Sequence, residues 1–166
     1  MKIETLKRHT ALFLVNHILV GTRCYARKRK LLNQVGFSLG EGTRVVGPVY
    51  CTGGLTTGTD CWLGPKLSIY GNGTVVLEDN CDIGPEVSFL TGSHEIGDAQ
   101  RRAGTGKNET IRVGAGCWIG GGSMVLGGYR IGKGSVVGAF SCVTEDLPEN
   151  SLCCGTPARV IRALHE

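Results

Sequence analysis

From Val113 to Val143 every sixth residue is aliphatic, namely Val113, Ile119, Val125, Ile131, Val137 and Val143. Glycine follows four of them, at Gly114, Gly120, Gly132 and Gly138. A strict period of six suits neither a helix, at about 3.6 residues per turn, nor a lone strand, at about two. It is the period of hexapeptide rungs, each a short strand and a turn, three of which close one triangular coil. The aliphatic residue points into the prism, and the glycine supplies the positive φ, or the room, that a corner demands. A second inward position, two before each aliphatic, reads Cys117, Ser123, Tyr129, Ser135 and Ser141. Small side chains suit a narrow interior.

The 166 residues make one domain by length. Their 27 glycines exceed the average usage of about 7% without the period of collagen, and a turn at regular short intervals explains them. A net charge of +4 does not point to nucleic acid. Eight cysteines in a chain without a recognisable secretion signal read as reduced thiols, and Cys61, Cys81 and Cys117 fall on the inward small-residue site. A cytoplasmic protein without structural disulfides is expected.

Residues 1–33 differ from the rest. An apolar helical run, Ala11 to Val20, precedes a basic tract from Arg27 to Lys30. The run falls well short of the roughly 20 residues that span a bilayer. Two readings stay open: a helix packed on the prism or on a neighbouring subunit, and an interfacial helix whose basic residues touch anionic lipid at the inner face of a membrane. The sixfold frame starts at Leu39 and runs through Val45, Cys51, Thr57, Leu63, Ile69 and Val75. It then slips by two to Leu77, Ile83 and Phe89, which predicts a bulged corner near Gly71 to Thr74. Periodicity fails over 91–111, so a loop is expected to leave the prism there. The tail, 157–166, reads as a short capping helix with Val160, Ile161 and Leu164 on its apolar side.

Of the four histidines, His94 alone lies in the repeat region, at the start of the extruded loop in Thr91-Gly92-Ser93-His94-Glu95. A neutral imidazole there is suited to take a proton from a hydroxyl.

The rungs, the Thr-Gly-Ser-His loop, Trp118-Ile119-Gly120, the run from Gly138-Ala139 to Val143-Thr144, and Gly155-Thr156-Pro157-Ala158-Arg159-Val160-Ile161-Arg162 resemble the left-handed β-helix acyltransferases. Galactoside, maltose and nodulation-factor O-acetyltransferases and relatives in polysaccharide biosynthesis are the members most similar. The resemblance covers about 39–166. It implies a left-handed parallel β-helix of about five coils over 34–156, working as a homotrimer with acetyl-CoA, the co-substrate, between neighbouring prisms. No metal is expected. His94 would be the general base that lets an acceptor hydroxyl of a sugar or glycan precursor attack the thioester directly. CoA contacts would come from Trp118, the backbone at Gly120 and Ala139, Thr144, and Arg159 and Arg162 on the phosphates. Trp118 alternatively anchors a subunit interface, and the two arginines alternatively line a solvated face.

Three positions depart from the family pattern. Glu145 stands where many members carry a lysine, Gly121 where a serine often helps the oxyanion, and Gly64 where galactoside enzymes have an acceptor-side asparagine; Asn72 keeps a polar group at the second acceptor-side position. The acceptor is therefore expected to differ from a galactoside. A γ-carbonic anhydrase would need three histidines on zinc, and a serine acetyltransferase a long helical N-terminal domain. A non-catalytic scaffold would have no use for the loop histidine.

Overall fold

The computed structural model describes residues 3–165; Met1, Lys2 and Glu166, which belong to the terminal segments assigned above, lie outside the described residues. Residues 38–154 wind into five complete coils and a partial sixth. Coil one holds β1 (Ser38–Leu39), β2 (Arg44–Val45) and β3 (Val49–Cys51), and coil two β4 (Gly54–Thr57), β5 (Trp62–Leu63) and β6 (Leu67–Tyr70). Coil three holds β7 (Thr74–Leu77), β8 (Asp82–Ile83) and β9 (Ser88–Leu90). An arm follows, β10 (Gly92–Ile96) and β11 (Ala103–Asn108). Coil four holds β12 (Thr110–Val113), β13 (Trp118–Ile119) and β14 (Met124–Leu126), and coil five β15 (Arg130–Ile131), β16 (Val136–Val137) and β17 (Cys142–Val143). The last turn contributes β18 (Ser151–Cys154) and β19 (Arg159–Ala163).

Strands one coil apart pair in parallel on three faces. The first face runs β1-β4-β7-β12-β15, the second β2-β5-β8-β13-β16-β18-β19, and the third β3-β6-β9-β14-β17. The result is a left-handed parallel β-helix. The frame read from the sequence becomes its interior, with Leu39, Thr57, Leu77, Val113 and Ile131 in register on the first face and all buried. The two-residue slip falls at Gly71–Gly73, between β6 and β7, as the spacing predicts.

The inward small-residue site forms a donor ladder. Thr43 Oγ1 donates to the Gly58 carbonyl (3.0 Å), Cys61 Sγ to Glu78 (3.1 Å), Cys81 Sγ to Gly114 (3.2 Å), Cys117 Sγ to Gly132 (3.0 Å) and Ser135 Oγ to Pro148 (2.7 Å). Each coil thus ties its side chain to the backbone of the next, so no buried polar atom is left unpaired there. Of the two reasons for the recurrent glycine, room is the operative one: a Cβ on Gly120 would lie 2.5 Å from the Ala139 nitrogen. Positive φ falls two residues later, at Gly116, Gly122 and Gly134, and also at Phe140.

Both ends differ from expectation. The N-terminal segment is not one short helix but α1 (Ile3–Phe13), a π-helical turn (Leu14–Ile18) and α2 (Tyr25–Asn33). Together they close the open end of the first coil, which would otherwise expose one unpaired strand edge per face. Asn33 bonds both ways with Leu39 on the first face, through its amide to the carbonyl (3.0 Å) and its oxygen from the N–H (2.8 Å). Asn16 does the same with Val49 on the third, at 2.8 Å each way. On the second, the fully buried Lys28 ammonium donates to the carbonyls of Val45 (2.9 Å), Val46 (2.8 Å) and Gly21 (2.6 Å). Burial pulls its pKa below the usual lysine value, the nearby Cys24 opposing. One residue of the expected basic anchor is therefore a structural cap.

The tail forms a strand, not the expected capping helix over 157–166. After the turn at Gly155–Ala158 the chain reverses, and β19 lies antiparallel on β18. A strand supplies hydrogen bonds to the last exposed edge, which a helix would cover without pairing.

Candidate active site

The expected loop over 91–111 is an antiparallel arm over 92–108; it ends early because Thr110 and Ile111 already pair with Thr74 and Val75 on the first face. Thr91 fixes its base: its hydroxyl donates to the Tyr70 carbonyl (3.0 Å) and accepts from the Gly73 N–H (3.2 Å), while its own carbonyl accepts from Glu109 N–H (2.7 Å). The bulge packs against this base, where Asn72 N–H donates to Asn108 Oδ1 (2.8 Å). His94 sits on β10 opposite Gly106, and it is exposed. Glycine at 106 leaves the imidazole uncovered, since a Cβ there would already lie in van der Waals contact with the ring, 3.8 Å from Cδ2 and Nε2. His94 and Asn72 therefore share the edge between the third and first faces, and Thr144, just after β17, lies on that edge two coils further along.

The other expected residues lie elsewhere on the prism. Trp118 projects from the second face, 57% exposed beside the buried Ile119. Gly120 and Ala139 stack at the edge between the second and third faces. In this corner Gly64, Gly84, Gly120 and Gly138 open successive coils, leaving a strip of bare backbone beside Trp118. Arg162 pairs opposite Leu152 at the end of the second face, where it is exposed. Arg159 is held by Glu145, Nη1 to Oε1 2.8 Å. The chain thus groups His94, Asn72 and Thr144 on one edge, and Trp118, Gly120, Ala139 and Arg162 on the second face and its other edge.

The residue before each frame aliphatic points outward, and on the second face that row reads Arg44, Trp62, Asp82, Trp118, Val136, Leu152 in successive strands. From Trp118 the row is apolar until it meets Arg162. Trp62 and Asp82 escaped the sequence reading, although the signal was available one position before the frame. Trp62, Asp82, Gly84 and Trp118 line a cleft of about 310 Å³. Phe140 also escaped notice: 78% exposed at φ 55°, it lies against Gly122 beside Ala139.

No family model matches the chain. It is 33% identical over 148 residues to the galactoside O-acetyltransferase of Lactococcus lactis, covering 84% of this chain and 69% of that protein. It is 32% identical over 142 residues to that of Escherichia coli, covering 84% and 70%. Among solved structures, a hexapeptide-repeat acetyltransferase from Vibrio cholerae superposes with a TM-score of 0.85 at 27% identity, covering 100% of this chain and 95% of that one. A galactoside acetyltransferase in complex with coenzyme A superposes with a TM-score of 0.79 at 27% identity, covering 99% and 84%. Because the galactoside enzymes match over most of both sequences and the solved prisms over nearly all of this one, the chain belongs to the hexapeptide-repeat acetyltransferases, a family that includes the galactoside O-acetyltransferases.

Proposed function

We propose that the chain transfers the acetyl group of acetyl-CoA to a hydroxyl of a sugar or glycan precursor, with His94 as general base. One observation carries the reading. The outward row of the second face runs from Trp118 through Val136 and Leu152 to Arg162, an apolar track that ends in a guanidinium. Three strand spacings, about 14 Å in all, suit a pantetheine arm stretched along the axis with its phosphates at the cation. Gly120 and Ala139 flank this track with backbone, and the solved relatives with coenzyme A or acetyl coenzyme A share the prism.

In the reaction, the acceptor hydroxyl oxygen forms a bond to the thioester carbonyl carbon while its proton passes to the His94 imidazole. The C–S bond then breaks, and the imidazolium returns the proton to the CoA thiolate. His94 and Trp118 lie on different sides of one prism, so the reading joins the arm of one copy to the second face of another, in a homotrimer. Asn72, beside the arm base, is placed to bond the acceptor.

Release of free thiol from acetyl-CoA in the presence of a glycoside panel tests the activity. His94→Ala is expected to lose on the order of 10²-fold or more in kcat while CoA binding survives. Near-normal turnover in that variant would end the assignment. Mixing His94→Ala with Trp118→Ala after joint refolding is expected to recover activity, because some interfaces then carry both native residues; two inactive components that stay inactive would place the site within one chain.

Eight unpaired cysteines support a cytoplasmic setting. Membrane contact through the N-terminal segment rests on a separate feature: Ile3, Leu6 and Phe13 form an outward apolar stripe on α1, continued by Ile18 and Val20. Sedimentation with anionic vesicles tests it, and equal recovery of wild type and Leu6→Ser/Phe13→Ser in the supernatant ends it.

A further inference from the structure

The cleft on the second face lies at the opposite end of the row from Arg162, and its composition is specific. Asp82 stands in register between Trp62 and Trp118, and all three side chains project outward because their neighbours Leu63, Ile83 and Ile119 are wholly buried. Trp62 is braced edge-on by Tyr25, with ring centroids 6.0 Å apart. Among the described residues Asp82 has no ion-pair partner, and the cation next along the row, Arg44, lies beyond Trp62. Two indoles and a carboxylate are three electron-rich groups lining one space. They favour a cation, tolerate a neutral ring and repel an anion. Two strand spacings separate the tryptophans, about 9.6 Å, so a cationic centre midway lies within the roughly 6 Å reach of both rings.

We propose that this cleft binds the protonated amine of an amino sugar, with Asp82 as the residue that selects it. The proposal rests on the acetyltransferase reading and names the acceptor class for it. An ammonium nitrogen held against Asp82 has no free electron pair, so it cannot attack the thioester. A hydroxyl elsewhere on the same ring then remains the nucleophile presented to His94. The site would thereby direct acetylation to oxygen in a substrate that also carries nitrogen.

Both tryptophans of the chain line this cleft, so tryptophan-selective fluorescence, measured without CoA because Trp118 also begins the pantetheine track, reports on it. The full-length protein is titrated with a methyl 2-amino-2-deoxyglycoside, its N-acetylated form, the matched neutral glycoside and the matched uronic acid glycoside. The free amine is expected to bind about tenfold more tightly than the neutral ring, with the N-acetylated form close to neutral and the uronic acid weakest. Asp82→Asn is expected to reduce the amine preference to less than about threefold. Equal binding of amine and neutral ligand overturns the proposal, as does an Asp82→Asn protein that keeps the preference. Acetyl transfer to glycosides without amine preference would remove this inference and leave the enzyme reading intact. Amine-selective binding with no transfer to any acceptor would do the reverse.

Discussion

Glu145 and Arg159 form an ion pair of 2.8 Å that joins the corner after β17 to the first residue of β19. Glu145 stands where many members of the family carry a lysine, so an unpaired carboxylate there would oppose a CoA phosphate. In the structure Glu145 is paired with Arg159, and Arg162, exposed at the end of the second face, has no ion-pair partner among the described residues. Both partners are half exposed, so the pair itself contributes less than about 1 kcal/mol to stability. Glu145→Gln is expected to release Arg159 and tighten CoA binding a few-fold by calorimetry, with little change in Tm. An unchanged or weaker Kd would show that Arg159 does not reach the cofactor.

Lys28→Met keeps the aliphatic stem and removes the donor to Val45, Val46 and Gly21. Three carbonyls then lose their partner, at about 1–3 kcal/mol for each group that water cannot reach. Relief of the buried charge offsets part of this. The expected outcome is a lower midpoint in chemical denaturation, and an equal or higher one would mean that the ammonium costs more than its three bonds return.

Burial holds the Cys117 thiol above the ordinary value of 9.0. The folded chain therefore keeps a proton above pH 9 that the unfolded chain has lost, and stability from this group is present below pH 9 and falls as pH rises beyond it. Cys117→Ser keeps a donor for the Gly132 carbonyl, as Ser135 does for Pro148 one coil on. Denaturant titrations of the two proteins between pH 7 and about pH 10.5 are expected to converge, the wild type losing its advantage. Parallel curves would remove Cys117 from the alkaline response.

Phe140 holds a left-handed backbone that costs a bulky residue about 1 kcal/mol. Asparagine already fills such corners at Asn80 and Asn150. Phe140→Asn is expected to raise Tm by about 2–4 °C for a chain of this size. A lower Tm would show that the packing of the ring on Gly122 outweighs the backbone strain.

The coils were legible because one rung repeats one physical demand: Val113, Ile119 and Val125 each fill the same interior, and Gly120 each time meets the same crowding. Even the bulge at Gly71–Gly73 showed, as a shift in phase. The ends were not legible, because they answer to edges rather than to a period. Val160, Ile161 and Leu164 fit a helical stripe, yet the unpaired side of β18 recruits Val160 and Ile161 into a strand. Lys28 reads as a surface charge until the carbonyls of Val45 and Val46 are known to face it. Trp62 and Asp82 were hidden for a different reason: each lies a full coil from its neighbour in the row, far apart in sequence, and they meet only through winding.

The closures at the two ends carry a consequence for how such a molecule changes size. Every interior coil offers its successor the same bonding surface, so nothing in the rungs themselves dictates when winding stops. Three side chains at one end and one reversed strand at the other set that limit. A duplication of one whole coil between them is therefore expected to lengthen the prism without disturbing its plugs, whereas loss of Asn16, Lys28 and Asn33 together would leave a growth face on which one molecule can seed another into a fibre.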